Sequence, residues 1–108
     1  MKKFDFVAEL LAHGFHDDTK LEAVELSRQT GFEGVFLSRD FTKVIESVWS
    51  GRHEYSYRVE VFVNLTQNLC RAKFFDGGIE YKCKWYYTAG KRTYNAIVAT
   101  LQNAGLEI

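Results

Sequence analysis

The pair Lys91-Arg92 points most directly to binding chemistry. It follows Gly90 and precedes Thr93 at the predicted start of the last helix. Cations at a helix start oppose the helix dipole, whereas the free amides of the first turn attract anions. These four residues therefore predict a site for a phosphate or an acidic side chain. The alternative interpretation is that both cations are solvated charges just outside a helix that begins later.

A second candidate surface is the charged face of a predicted β-sheet. This face carries the aromatic residues Phe62 and Tyr86 and five cations, Arg58, Arg71, Lys73, Lys82 and Lys84. Basic residues interleaved with aromatic ones can bind single-stranded nucleic acid through stacking and phosphate contacts. Glu54, Glu60 and Glu80 lie on the same predicted face. A solvated face whose charges pair across strands is therefore the competing interpretation.

The cysteines and histidines favour structural roles. Cys70 and Cys83 face each other in the predicted sheet, and we expect two reduced thiols that pack as small hydrophobic groups. His13 and His16 span a predicted helix end rather than one rigid face, so we expect no metal site. The sequence shows no distinct nucleophile with an adjacent base and no phosphate-binding glycine loop. We therefore expect a protein that is not an enzyme and needs no cofactor.

Apolar residues recur at helical spacing up to about residue 50 and again from about residue 91. Glycine followed by an apolar residue at 14–15, 31–32 and 105–106 predicts helix ends, because glycine adopts positive φ without strain. We expect helices at 3–13, from 19 onward, at 39–50 and at 91–104. The third has the clearest amphipathic pattern, which is formed by Phe41, Val44, Ile45, Val48 and Trp49. The stretch 34–38 fits either a short strand or an early helix start.

Alternating apolar and polar residues between 54 and 87 predict three antiparallel strands, at 55–64, 69–75 and 79–87. A hairpin turn at Asp76-Gly77 places Cys70 opposite Cys83. We prefer it to a Gly77-Gly78 turn, which would place like charges opposite each other.

The loop between the first two of these strands is predicted to contain four residues, 65–68. That length places Val63 opposite Cys70 and Glu60 opposite Lys73. The charged face would then carry a ladder Glu60–Lys73–Glu80, in which each lysine–glutamate pair is favourable.

Length and composition limit the fold and the function. The chain has 108 residues, 14 basic and 14 acidic side chains and 16% aromatic residues. This size favours a single domain over 1–108, and the zero formal charge excludes a broadly basic nucleic-acid binder. No apolar run approaches the roughly 20 residues of a membrane span, and no secretory leader is evident. We expect a cytoplasmic protein without membrane contacts.

The predicted fold is α+β, with a three-stranded antiparallel meander and helices packed on its apolar face. The order is ααα-βββ-α, with a possible short extra strand near 34–38. The predicted core consists of Phe4, Val7, Leu11, Val44, Ile45, Val48, Val59, Val61, Phe74, Tyr81, Trp85, Ile97 and Leu101.

The composition favours a small binding or accessory protein that acts on a protein partner or on a second copy of itself. Phe62 and Tyr86 are the candidate interface residues, because aromatic residues are enriched at interface hot spots. An unpaired edge strand offers a second route to a partner.

The alternative is a nucleic-acid-binding module. Its central residues would be Lys91 and Arg92, beside Gly90, with secondary contacts from Arg71, Lys82 and Lys84. The predicted order helix, three strands, helix over 40–108 resembles the double-stranded-RNA-binding domain in topology and length. Lys91-Arg92 matches part of the lysine-rich helix start of that family, but Tyr94 and Asn95 stand where a further lysine is expected. The resemblance implies phosphate contacts at this helix start.

Overall fold

The structure is a computed structural model that describes residues 4–18, 34–64, 68–86 and 88–106. These ranges form an α+β fold with two helices and an open, five-stranded antiparallel sheet in the order β1-β2-β3-β4-β5. The elements are α1 (Phe6–Ala12), β1 (His16–Asp17), β2 (Gly34–Ser47), β3 (Gly51–Asn64), β4 (Leu69–Asp76), β5 (Ile79–Tyr86) and α2 (Lys91–Asn103). The helix predicted to begin at 19 lies outside the described residues, as does position 87 of the last predicted strand.

Both helices have local signals that set their ends. The Asp5 carboxylate accepts a hydrogen bond of 3.0 Å from the Ala8 amide and so caps the start of α1. Beyond the two helices, Gly14 and Gly105 adopt φ of +86° and +79°, the left-handed conformation that glycine allows. The first and last predicted helices are thus confirmed, although α1 begins three residues later than expected. Neither described helix is long and apolar enough to cross a membrane.

The helix predicted at 39–50 is wrong, because this segment is the second half of β2 and a turn. The stretch 34–38 is a strand and forms the start of the same β2. β-branched residues such as Thr42, Val44 and Ile45 pack well on a pleated strand and lose side-chain freedom in a helix. The helix–three strands–helix order expected over 40–108 therefore does not occur.

The core lies between the two helices and one face of the sheet, which we call the helix side. Leu37, Val61, Phe74, Ile97 and Leu101 are among its buried residues. Six residues of the predicted core are instead exposed, namely Leu11, Val44, Ile45, Val48, Tyr81 and Trp85. Three of these lie in the segment wrongly predicted as a helix, and Tyr81 and Trp85 lie on an edge strand.

The predicted register between β3 and β4 is confirmed. Val63 pairs with Cys70 and Glu60 pairs with Lys73. The alternation of buried and half-buried residues along β4 places Cys70 on the helix side and Lys73 on the opposite face, which we call the outer side. The sequence predicted this pairing from a four-residue loop at 65–68, which places Glu60 opposite Lys73 and keeps the apolar residues on one face.

The predicted register between β4 and β5 is wrong. The turn is centred on Gly77-Gly78, with Asp76 opposite Ile79. A register shift then adds one residue, Tyr81, to β5, as a β-bulge does. Beyond the bulge, Lys73 lies opposite Cys83 rather than opposite a lysine. The like-charge pairing that a regular Gly-Gly turn would impose is thereby avoided.

The bulge also exchanges the two faces of β5, since one extra residue moves every later side chain to the other side. Lys82, Lys84 and Tyr86 pair with helix-side residues of β4, whereas Cys83 and Trp85 pair with outer-side residues. Cys70 lies opposite Tyr86. Both thiols are free, with Cys70 buried and Cys83 exposed, so the prediction that they face each other in the core is wrong.

Candidate interaction surfaces

The β2–β3 hairpin extends well beyond the strands beside it. Among the β3 residues that pair with β4, Tyr57 lies nearest to the turn between β2 and β3. The short strand β1 pairs only with Leu37 and Ser38 of β2. Within the described part of the chain, the strand partners of residues 42–56 therefore all lie in this same segment, which we call the arm. At its base, Ser56 also accepts a hydrogen bond of 2.8 Å from the Gly77 amide. Ser47 pairs with Gly51 at the far end, where Gly51 has φ of +80°.

The arm ends in two apolar side chains that have almost no contact with the rest of the protein. Val48 is 99% exposed and Trp49 is 96% exposed. Val44, Ile45 and Tyr55, nearer the sheet, are each about two-fifths exposed. The helical spacing predicts Val48 in the core and Trp49 on the same stripe, and the structure contradicts both positions. The signal that could have identified a turn is Ser50-Gly51, which closes the segment predicted as a helix.

The formal charges of the arm sum to zero, so the arm that carries the tip is electrically neutral. Arg52 and Glu54 form an ion pair of 3.4 Å, and Lys43 and Glu46 carry the remaining formal charges. A neutral, apolar tip has no electrostatic attraction for phosphates. It suits an apolar pocket in a partner.

Two cations of β2 hold the base of the arm against the helices. Arg39 donates a hydrogen bond of 2.6 Å to the carbonyl oxygen of His13, and its guanidinium lies 4.4 Å from the centre of the Phe41 ring. Lys43 Nζ donates to the carbonyl oxygen of Ala104 at 3.2 Å. These contacts fix the direction in which the arm leaves the sheet.

The edge strand β5 is a second exposed surface. Seven of its eight residues are exposed, including Ile79 at 73% and Trp85 at 54%. No strand of the described chain pairs with its outer edge. Lys82 Nζ lies 6.0 Å from the Phe74 ring centre and Lys84 Nζ 5.3 Å from that of Tyr86. Neither lysine forms an ion pair with any carboxylate in the described ranges.

The outer side of β4 and β5 carries a stacked cation. The Arg71 guanidinium carbon lies 5.6 Å from the ring of Phe62 and 5.6 Å from that of Trp85. The Arg71 Nε atom is buried without a hydrogen-bond partner. Phe62 is only 4% exposed, so the prediction of an exposed Phe62 is wrong. Tyr86 is half-buried, and this burial raises the pKa of its hydroxyl.

The structure places Lys91 and Arg92 in the first turn of α2, where both are exposed. Gly90 is the N-cap residue and supplies no side-chain hydrogen bond to the helix. The buried Thr93 hydroxyl donates to the carbonyl oxygen of Thr88 at 2.6 Å, so it serves the local fold. Arg71 lies on the outer side, whereas Lys82 and Lys84 lie on the helix side with α2. The sheet thus separates Arg71 from the other predicted cations.

The residues around His13 and Asp18 stabilise loops. His13 Nδ1 lies 2.8 Å from the carbonyl oxygen of Glu9 and 3.2 Å from the Tyr94 hydroxyl. The Asp18 carboxylate accepts a hydrogen bond from Ser38 and lies 3.5 Å from the Arg58 guanidinium. Among the described residues, no group of three or more metal-binding side chains converges.

A cavity of about 320 Å³ opens beside the start of α1. Apolar residues dominate its lining, with Asp5 and Asn68 as the polar exceptions. Asp5 already caps α1, and the Asn68 side chain accepts a hydrogen bond from the Ala89 amide. The polar groups of this cavity are therefore engaged within the fold.

The fold and these surfaces define a small α+β protein with a projecting β-hairpin and an open edge strand. No protein-family model matches the chain, and no curated protein or solved structure is significantly similar to it.

Proposed function

We propose that this protein is a non-enzymatic protein-binding module that inserts the tip of its arm, Val48 and Trp49, into an apolar pocket of a partner protein. The observation that carries the proposal is the nearly complete exposure of both side chains at the end of a projecting hairpin. Tryptophan is enriched at interface hot spots, where a few buried residues supply most of the binding energy. Burying a large apolar side chain contributes roughly 1.5–3 kcal/mol.

The shape of the arm supports this function. Fourteen β2 residues pair with fourteen β3 residues without interruption, and Arg39 and Lys43 tie the base to the two helices. A hairpin whose strands are paired up to the turn loses less conformational entropy on binding than a flexible loop does.

The test is the affinity of a purified partner for tip variants. Proteins retained from a lysate by the wild-type chain are identified, purified and titrated by calorimetry. We expect Val48→Ser/Trp49→Ser to weaken binding by about thirtyfold or more, which corresponds to a hot spot of roughly 2 kcal/mol. Leu11→Ser, which removes a partly exposed apolar side chain on α1, outside both the arm and β5, is the matched control. Equal affinities of the wild-type and tip variants would contradict the proposal.

A second candidate function is nucleic-acid binding, favoured by the face exchange in β5. Lys82 and Lys84 lie on the helix side with Lys91 and Arg92, and none of the four forms an ion pair with a described carboxylate. This candidate requires low-salt binding of single- or double-stranded DNA or RNA that weakens with salt and with Lys91→Ala/Arg92→Ala. Absence of binding at low salt would exclude it.

A further inference from the structure

We infer that the open edge of β5 is a second docking site, separate from the arm, that accepts an extended acidic segment of a protein partner as a sixth strand. The inference rests on the proposed function as a protein-binding module and adds the chemistry of a partner segment. Half of the backbone N–H and C=O groups of an edge strand point away from the sheet and can pair with an added strand. β5 presents such an edge over Ile79–Tyr86.

The lysines of β5 disfavour a second copy of this chain at that edge. In a symmetric antiparallel pairing, residues that face each other lie on the same side of the sheet. A register centred on Cys83 would place Lys82 opposite Lys84 twice, and one centred on either lysine would place that lysine opposite itself. Like charges directly opposite each other destabilise a strand pair, and edge lysines are a known means of blocking self-association.

The same two lysines favour an acidic strand. Lys82 and Lys84 are two residues apart on the helix side and have no carboxylate partner in the described chain. A docked strand with carboxylates at alternate positions would place one opposite each lysine, since side chains on one face of a strand recur every second residue.

The outer side of β5 determines which side chains of the docked strand alternate with those carboxylates. Trp85 is 54% exposed, and one face of its ring is stacked on Arg71. The neighbouring Cys83 is also exposed. A strand added here would place its intervening side chains beside this apolar surface, where apolar cross-strand pairs are favourable. The partner segment is therefore one in which acidic and apolar residues alternate.

The probe that tests this inference is a blocked, fluorescent peptide of about ten residues in which glutamate alternates with valine. One control replaces each glutamate with lysine, and a second is the glutamate peptide with N-methyl groups on alternate amides. We expect the glutamate peptide to bind at least about tenfold more tightly than either control, because both charge and backbone pairing contribute. Lys82→Glu/Lys84→Glu should reverse the preference toward the lysine peptide. Amide NMR shifts on binding should concentrate in β5.

Equal binding of the glutamate and lysine peptides would overturn the inference. Equal binding of the N-methylated and unmodified glutamate peptides would also overturn the inference, because charge alone would then explain the attraction. The same conclusion would follow if oligothymidylate displaced the glutamate peptide and N-methylation had no effect. If the charge-reversed chain does not fold by circular dichroism, Lys82→Gln/Lys84→Gln should remove the preference without reversing it. Val48→Ser/Trp49→Ser should bind the peptide like the wild type, so failure at the tip and failure at the edge are distinguishable.

Discussion

Lys43 Nζ donates a hydrogen bond to the carbonyl oxygen of Ala104, 3.2 Å away, at the C-terminal end of α2. Arg39 makes the equivalent contact with His13 at the end of α1. Both cations lie on the helix side of β2, and cations at helix C-termini are favoured by the helix dipole and by the unpaired carbonyls there. The base of the arm and the ends of both helices are thus held by two side chains of one strand.

The first prediction compares the two ends of α2. Lys43→Met should lower the free energy of unfolding by about 1 kcal/mol, because it removes a charged hydrogen bond and a cation at the C-terminus. Lys91→Met should raise it by about 0.3 kcal/mol, since Lys91 opposes the dipole at the N-terminus. Urea unfolding at low salt measures both. Changes of the same sign would contradict the assignment of these charges to opposite ends of the dipole.

The second prediction concerns the stability contributed by the tip. Trp49→Ser should change the free energy of unfolding by less than about 0.5 kcal/mol, because the side chain is 96% exposed. Phe74→Ala, at a residue only 1% exposed, should cost about 3–5 kcal/mol. In a Trp85→Phe background, the fluorescence of Trp49 should be fully accessible to acrylamide. A large loss of stability in Trp49→Ser would show that the tip packs on the fold.

The third prediction distinguishes the two thiols. A disulfide reagent such as Ellman's should modify one thiol per native chain and two after denaturation, because Cys83 is exposed and Cys70 is buried. Burial also raises the pKa of the Cys70 thiol to about 12, so its reactive thiolate is scarce at pH 8. Cys83→Ser should abolish the native reaction. Rapid modification of Cys70 in that variant would contradict the packing of β4.

The fourth prediction is a loss of stability in alkali. An unfolded chain releases the Cys70 proton near pH 8.5, whereas the folded chain retains it until about pH 12. The stability that the buried Cys70 thiol contributes is complete below its unfolded pKa. This stability is lost as the pH rises toward its folded pKa, with a slope of at most about 1.4 kcal/mol per pH unit. Burial raises the pKa of Tyr81, Tyr86 and Tyr94 as well, and these add the same trend above pH 10.

Urea unfolding between pH 8 and pH 11 measures this effect. Cys70→Ala should be less stable at pH 8 because of the lost packing, but its stability should decline less steeply with pH. Equal slopes for Cys70→Ala and the wild type would contradict the assignment to this thiol.

The elements that sequence analysis predicted correctly have both a local end signal and a buried face. The helix α2 follows Gly90, ends before Gly105 and buries Ile97 and Leu101. The pairing of β3 with β4 is fixed by apolar residues on one side and by Glu60 opposite Lys73 on the other. These signals lie within the elements or directly beside them, so a single sequence contains them.

Two features depended on context that lies outside the segment. The arm has no core to cover it, so nothing imposes a period of two on its apolar residues, and their spacing matched a helix by coincidence. The bulge at Tyr81 keeps apart cations of β4 and β5 that a regular register would have brought together. Its consequence was large, because it reversed the expected sides of Lys82, Lys84 and Trp85.

The uninterrupted pairing of β2 with β3 makes the arm a direct continuation of the sheet. The same two strands that place Leu37 and Val61 in the core extend to the turn that carries Val48 and Trp49. A force applied at the tip is therefore transmitted along the hydrogen-bonded strands into the core, past the contacts of Lys43 and Arg39 with the helix ends.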